Sequence, residues 1–186
     1  MKQLLKSCRA FYLAHLSKPA KDRALYRALR RCPAMRILEL GMEPAGRSGR
    51  LIELARRARP AETIYYTGID LFELAPESRP ERMSLKAAYC KLQASGARVR
   101  LVPGDVFTAL AGVANQVGQC DLIVVSAQHD AQVLEKAWFY VPRLLHPATR
   151  VFVETCDGDP IVARYELIDH AEIRRRAHVS QRRSAA

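Results

Sequence analysis

Five short apolar runs punctuate the chain: Arg36–Leu40, Thr63–Asp70, Val99–Val102, Asp121–Ser126 and Arg150–Glu154. They are continuous rather than alternating, as expected of strands covered on both faces. Helical spacing fills the gaps. Leu51, Leu54, Ala55 and Ala58 recur at i, i+3, i+4 and i+7, as do Leu85, Ala88, Tyr89 and Leu92 before Ser95-Gly96. Val106, Leu110, Val113 and Val117 run to Gly118, and Leu134, Ala137, Trp138 and Val141 precede Pro147. Strand and helix alternating four times predicts a doubly wound, mainly parallel α/β sheet with helices on both faces. Such a sheet takes ligands beyond the carboxyl ends of its strands, where strand order reverses.

Two helices are predicted ahead of the sheet, at about 2–16 and 20–32, parted by Ser17-Lys18-Pro19. In the second, Leu25, Leu29 and Cys32 share one face and Arg23, Arg27 and Arg30 the other, an amphipathic helix with an arginine stripe outward. Asp157-Gly158-Asp159-Pro160 reads as a turn. The segment 161–179 fits two antiparallel strands, Val162–Leu167 and Glu172–Val179, with a helix as the competing reading. The expected organisation is a helical extension over 1–34, a domain over 35–179 and a disordered basic tail over 180–186.

The 186 residues and 49% apolar content suit one domain with a full core. The longest apolar runs fall short of the roughly 18 residues of a membrane span, and the N-terminus lacks a secretory signal. Five dispersed cysteines indicate neither a disulfide framework nor a zinc site, and read as small apolar fillers in a cytoplasmic protein. The net charge of +11 sits at the ends. Residues 1–36 hold ten Lys/Arg and one acid, and 174–186 hold five Arg and no acid. Those ends, through Arg23, Arg27, Arg30 and the arginines of 174–183, could meet nucleic acid, or be solvated faces.

The first strand leads into Gly41-Met-Glu-Pro-Ala-Gly46-Arg47-Ser48, close to G-x-x-x-x-G-K-[ST]. A phosphate loop is disfavoured there. Arg47 stands for the lysine, Pro44 removes an N–H, and Glu39 and Glu43 place negative charge beside it. Met42-Glu43 interrupts any G-x-G-x-x-G, which disfavours a nicotinamide cofactor. The strand ends instead carry acids: Glu39 before Gly41, Asp70 before Leu71, Gly104-Asp105 before Val106, then Ser126-Ala127-Gln128-His129. Acids at one edge suit a ligand with an ammonium, a ribose diol and an adenine amino group but no phosphate. Asp70 can accept both ribose hydroxyls, Asp105 the adenine amino group, and Glu39 favours the cationic end. This describes S-adenosylmethionine.

The segments "ILELG", "YYTGIDLFE", "VRLVPGDVFTAL" and "CDLIVVSAQHDAQVLEKAWFYVPRLLHPATRVFVE", in this order, resemble class I S-adenosylmethionine-dependent methyltransferases over about 35–155. The nearest resemblance is to the branch of macrocin O-methyltransferase and cephalosporin hydroxylase-type proteins. It implies a Rossmann-like domain that binds the cofactor around Glu39, Gly41, Asp70, Asp105 and the Ser126–His129 loop. The candidate cofactor contacts are Glu39, Gly41, Gly46, Asp70, Leu71, Gly104, Asp105, Val106, Ser126 and Gln128. That branch typically has Asp-Gly-Asp-His after strand four and His-Asp at the end of strand five. Here Ser126-Ala127-Gln128-His129 and Glu154-Thr155 stand in those places, so the implied transfer is metal-independent. His129 is the candidate general base, with an ordinary polar loop residue as the plainer reading. Asp130 is expected to cap the next helix and Trp138 to sit in the core. The expected activity is methyl transfer to an oxygen or nitrogen of a small molecule. The alternative is a degenerate cofactor-binding or interaction module that kept the sheet and lost the chemistry.

Overall fold

The computed structural model describes residues 2–42, 46–76, 83–156 and 163–184. Glu43, Pro44, most of the 72–82 loop and the 157–160 turn lie outside the described residues.

Six strands form one sheet: β1 (Arg36–Leu40), β2 (Tyr65–Asp70), β3 (Arg98–Pro103), β4 (Leu122–Val125), β5 (Arg150–Cys156) and β6 (Ala163–Ile168), in the order β3-β2-β1-β4-β5-β6. The first five are parallel, and β6 returns antiparallel to β5. This is the predicted Rossmann-like winding. Because the chain builds outward from β1 in one direction and from β4 in the other, the switch point lies between these two strands.

Two cores sandwich the sheet. On one face α2 (Arg23–Arg31), α3 (Arg47–Ala58) and α4 (Leu85–Gln93) bury Leu25, Leu29, Leu51, Ile52, Ala88 and Leu92 against Ile37, Tyr66 and Val124. Leu13 and Ala14 of α1 (Lys2–His15) join the same cluster, so the N-terminal helices share the domain's core. On the other face α5 (Val106–Val117), α6 (Ala131–Ala137) and α7 (His170–Ser184) contribute Leu110, Ala137 and Ile173 against Leu38, Leu40, Ile69 and Val125. Trp138 is buried here, as its position predicts. Asp130 caps α6, its Oδ1 accepting from the Gln132 and Val133 amides at 2.8 and 3.1 Å.

Several expectations need correction. Glu172–Val179 is not a strand but part of α7, which Asp169 caps through the Glu172 amide at 2.7 Å. Glu172 also pairs with Arg175 and Arg176 at helical spacing. α7 continues to Ser184, so the basic stretch from 180 belongs to a helix rather than a disordered tail. Ser180 is buried there and donates to the Lys136 carbonyl at 3.0 Å. α6 stops at Ala137, and Val141–Leu144 forms a separate 3-10 turn. Strand β3 is not covered on both faces, because it is the sheet's edge and its side chains alternate between exposed and half-buried. Of the cysteines only Cys120 is a buried filler; Cys8, Cys32, Cys90 and Cys156 are exposed on helix and strand ends or outer faces. Arg23 turns inward from the α2 stripe and donates to the Ser17 carbonyl at 2.8 Å.

Candidate functional site

The carboxyl edge of the sheet gathers the sequence-predicted residues into two groups. The first lies at the β1/β4 switch. Hydrogen bonds from the Gly41 amide to the Ile69 carbonyl and from the Ser126 amide to the Leu40 carbonyl, both 2.8 Å, carry the ladders past the strand ends. Gly41 has φ +84°, in the left-handed region open to glycine. Any Cβ there would meet His129 Nε2 at 2.7 Å and Ser126 Cβ at 2.9 Å. The loop after β4 therefore closes directly onto bare backbone, and His129 is held over the turn. The other histidines described in the sheet region serve elsewhere. His146 pairs with Asp121 and His170 meets the Thr149 carbonyl.

The second group lies at the β2/β3 ends. The Gly104 amide donates to the Asp70 carbonyl at 2.9 Å, which brings Asp70 and Asp105 to neighbouring strand ends. Asp70 Oδ1 accepts from the Leu71 amide at 2.9 Å. Phe72 follows with φ +49°, rare for a bulky residue, and its side chain is buried. Local strain of this kind persists where packing enforces it. Asp105 caps α5, Oδ1 accepting from the Phe107 and Thr108 amides at 3.0 Å each. Partial burial would raise its pKa, but these bonds outweigh it and hold the carboxyl below its usual value.

Not every predicted residue faces this edge. Val106 is fully buried in the α5 core. Gly46 begins α3 and faces Lys91 of α4, with a Cβ position 3.8 Å from Lys91 Nζ. Gln128 is exposed on the β4 loop.

Glu39 is fully buried. Its Oε1 accepts from Arg47 Nε at 2.6 Å and its Oε2 from the Tyr66 hydroxyl at 2.5 Å. Burial first, and then the adjacent Glu39 charge, push the Tyr66 phenol well above its usual pKa, so it stays a donor. Arg47 is fully buried as well. It donates through Nη2 to the Gly41 carbonyl at 2.8 Å and through Nη1 to the Tyr165 hydroxyl.

Tyr165 in turn donates to Glu154 Oε2 at 3.3 Å. That oxygen also accepts from Ser126 Oγ at 2.7 Å and the Ala127 amide at 3.0 Å. Glu154 Oε1 pairs with Lys21 Nζ at 2.7 Å. Burial works against the Glu154 charge, yet Lys21, the Ala127 amide and Ser126 together depress its pKa. One connected polar network thus runs beneath the switch point, from Lys21 through Glu154, Tyr165 and Arg47 to Glu39 and Tyr66. Sequence reasoning passed over Lys21 and Tyr165, which carry no motif. It noted Arg47 only as a poor phosphate-loop lysine and Glu154 only as a departure from the family pattern.

Among the described residues no three His, Cys, Asp or Glu side chains gather as a metal site, and no helix is long and apolar enough to cross a membrane.

No protein-family model matches the chain, and no curated protein matches it in sequence. Solved structures share its fold. A TehB-like SAM-dependent methyltransferase from Corynebacterium glutamicum aligns with TM-score 0.51 at 15% identity, over 96% of this chain and 81% of that one. CalS11, the TDP-rhamnose 3'-O-methyltransferase of calicheamicin biosynthesis, gives TM-score 0.51 at 17% identity over 98% and 84%. A precorrin-8w decarboxylase from Methanobacterium thermoautotrophicum gives TM-score 0.49 at 20% identity over 75% of this chain, which spans 64% of that protein. The chain has the Rossmann-like fold of such methyltransferases.

Proposed function

We propose that this chain is an S-adenosylmethionine-dependent methyltransferase that transfers a methyl group, without a metal, to an oxygen or nitrogen of a small molecule. The observation that carries this reading is the bare Gly41 turn at the switch point, closed by Ser126 and His129, beside Asp70 at the next strand end. The β4 loop rests on that bare step, so a ligand would lie against Ser126 and His129 rather than on Gly41 itself. The donor set fits the cofactor: a carboxylate at the end of β2 for a ribose diol, and a second at the end of β3 for an amino-bearing base. The resemblance to the macrocin O-methyltransferase branch points the same way.

The bound cofactor would supply an activated sulfonium methyl group. The protein's share is alignment and water exclusion. Asp70 fixes the ribose end, and Gly41 lets the β4 loop close over the turn. His129 is the candidate base for an acceptor hydroxyl, through Nδ1, since its Nε2 is buried against Gly41. In this reading Glu39 acts indirectly. Both its oxygens are engaged, so it holds Arg47, and Arg47 holds the Gly41 carbonyl. The acceptor would enter over the β4 loop.

The test is thermal unfolding with S-adenosylmethionine, S-adenosylhomocysteine, NAD and magnesium-ATP in parallel. A ligand at a hundredfold its Kd adds about 2.7 kcal/mol, a rise of about 5–10 °C for a chain of this size. A rise with the two adenosyl compounds alone is expected. A rise with magnesium-ATP alone, or none at all, overturns the reading.

A further inference from the structure

The sheet face that packs on α5 is covered only in part. α5 seals the carboxyl half over Leu38, Leu40, Ile69 and Val102, and ends at Val117. Toward the amino ends the same face carries Arg36, Tyr65, Thr67, Arg98 and Arg100. The register places Arg36 beside Tyr65, Tyr65 beside Arg98, and Thr67 beside Arg100. The guanidiniums of Arg36 and Arg98 lie 4.6 and 5.7 Å from the centre of the Tyr65 ring, so one tyrosine steadies both. Arg36 Nη1 donates to the Val117 carbonyl at 3.3 Å, which offsets the negative end of the α5 dipole. Arg100 Nη2 donates to Gln116 Oε1 at 2.7 Å. The three arginines surround a cavity of about 260 Å³ whose lining includes no carboxylate.

Charged residues on β3 would also guard an open sheet edge against pairing with another chain. That role accounts for Arg98 and Arg100 but not for Arg36, which stands on a central strand with β2 between it and the edge. Three exposed guanidiniums, steadied by Tyr65, the Val117 carbonyl and Gln116 with no acid in the cavity lining, suit a multiply charged anion. Planar guanidinium forks match phosphate oxygens in pairs. The cavity is small and is bounded by the end of α5, which favours a compact group over an extended strand.

We propose that this cradle, on the opposite edge of the sheet from the methyl-donor site, binds a phosphate or diphosphate group of a small molecule. The inference is independent of the methyltransferase reading. It is tested by isothermal titration of the full chain with inorganic phosphate, with pyrophosphate and with a short single-stranded oligonucleotide. Pyrophosphate is expected to bind saturably at one site per chain. The Arg98→Ala/Arg100→Ala variant should weaken it by at least about tenfold, the ordinary loss for a charge-assisted hydrogen bond. Arg27→Ala/Arg30→Ala, which removes the same charge from α2, should leave it unchanged. Arg36→Gln, which keeps the stem, repeats the test should the alanine pair unfold. The proposal is overturned by any of three results: no saturable pyrophosphate binding, equal weakening by the α2 pair, or tighter binding of the oligonucleotide lost with Arg98 and Arg100.

Discussion

Arg47 and Glu39 are joined at 2.6 Å with neither side chain exposed, and they brace the turn at the switch point from below. Arg47 spans the loop it belongs to, tying the start of α3 to the last residues of β1 and to the Gly41 carbonyl. Removing one partner strands the other charge in the core. Arg47→Ala should therefore lower stability by about 3–5 kcal/mol. At about 2–4 °C per kcal/mol that is a fall of at least about 6 °C in Tm, read by circular dichroism. A change of under about 2 °C would mean that the pair is hydrated rather than buried.

Gly41 combines a left-handed backbone with a position that any side chain would contest. Gly41→Ala meets His129 Nε2 at 2.7 Å and needs φ +84°. The backbone cost alone is about 1–2 kcal/mol. The β4 loop must also move, so the affinity for S-adenosylhomocysteine should fall more than the stability does. Titration calorimetry beside a melting curve separates the two. An unchanged affinity would place the ligand away from this turn.

The sequence carried the sheet well because β1, β4 and β5 are covered on both sides, and continuous apolar runs record that directly. It carried β3 less well. Arg98 and Arg100 alternate with Val99 and Leu101, the mark of a half-open edge, within a run otherwise read as buried. α7 was legible in principle, since Glu172 and Arg176 stand at helical spacing. The apolar residues that suggested a strand were few and were outweighed by that pairing once Ile173 found the core. The network beneath the switch point was not legible. Lys21 and Glu154 are 133 positions apart, and Arg47 meets Glu39 across a turn that no periodicity describes. Acids at strand ends could be listed from sequence. Which of them were already held by a cation of the same chain could not.

Asp105 allows its two roles to be separated. Asparagine caps a helix as well as aspartate does, whereas alanine loses about 0.5–2 kcal/mol. Asp105→Asn should keep the α5 cap and the wild-type Tm, and Asp105→Ala should lower the Tm. If the carboxylate also receives an adenine amino group, both variants weaken S-adenosylhomocysteine binding. If only the alanine variant changes anything, Asp105 is a cap and no more.

Glu154 sets an acid limit on the fold. Its folded pKa lies below the usual carboxyl value of 4.5 because Lys21, Ser126 and the Ala127 amide hold its charge against the cost of burial. A depressed pKa contributes stability that is present in full above the unfolded value and is lost as pH falls through the folded one. Wild-type stability should thus decline below about pH 4.5 by an amount that Glu154→Gln does not show. The variant should be the less stable at neutral pH, and the gap should narrow on acidification. Lys21→Met should also be less stable at neutral pH, because it removes the cation and raises the Glu154 pKa toward its unfolded value. Its decline should then be smaller than wild type and should level off at a higher pH. Chemical denaturation at a series of pH values measures all three curves. Parallel curves for wild type and Glu154→Gln would show that Glu154 keeps its ordinary pKa in the folded chain.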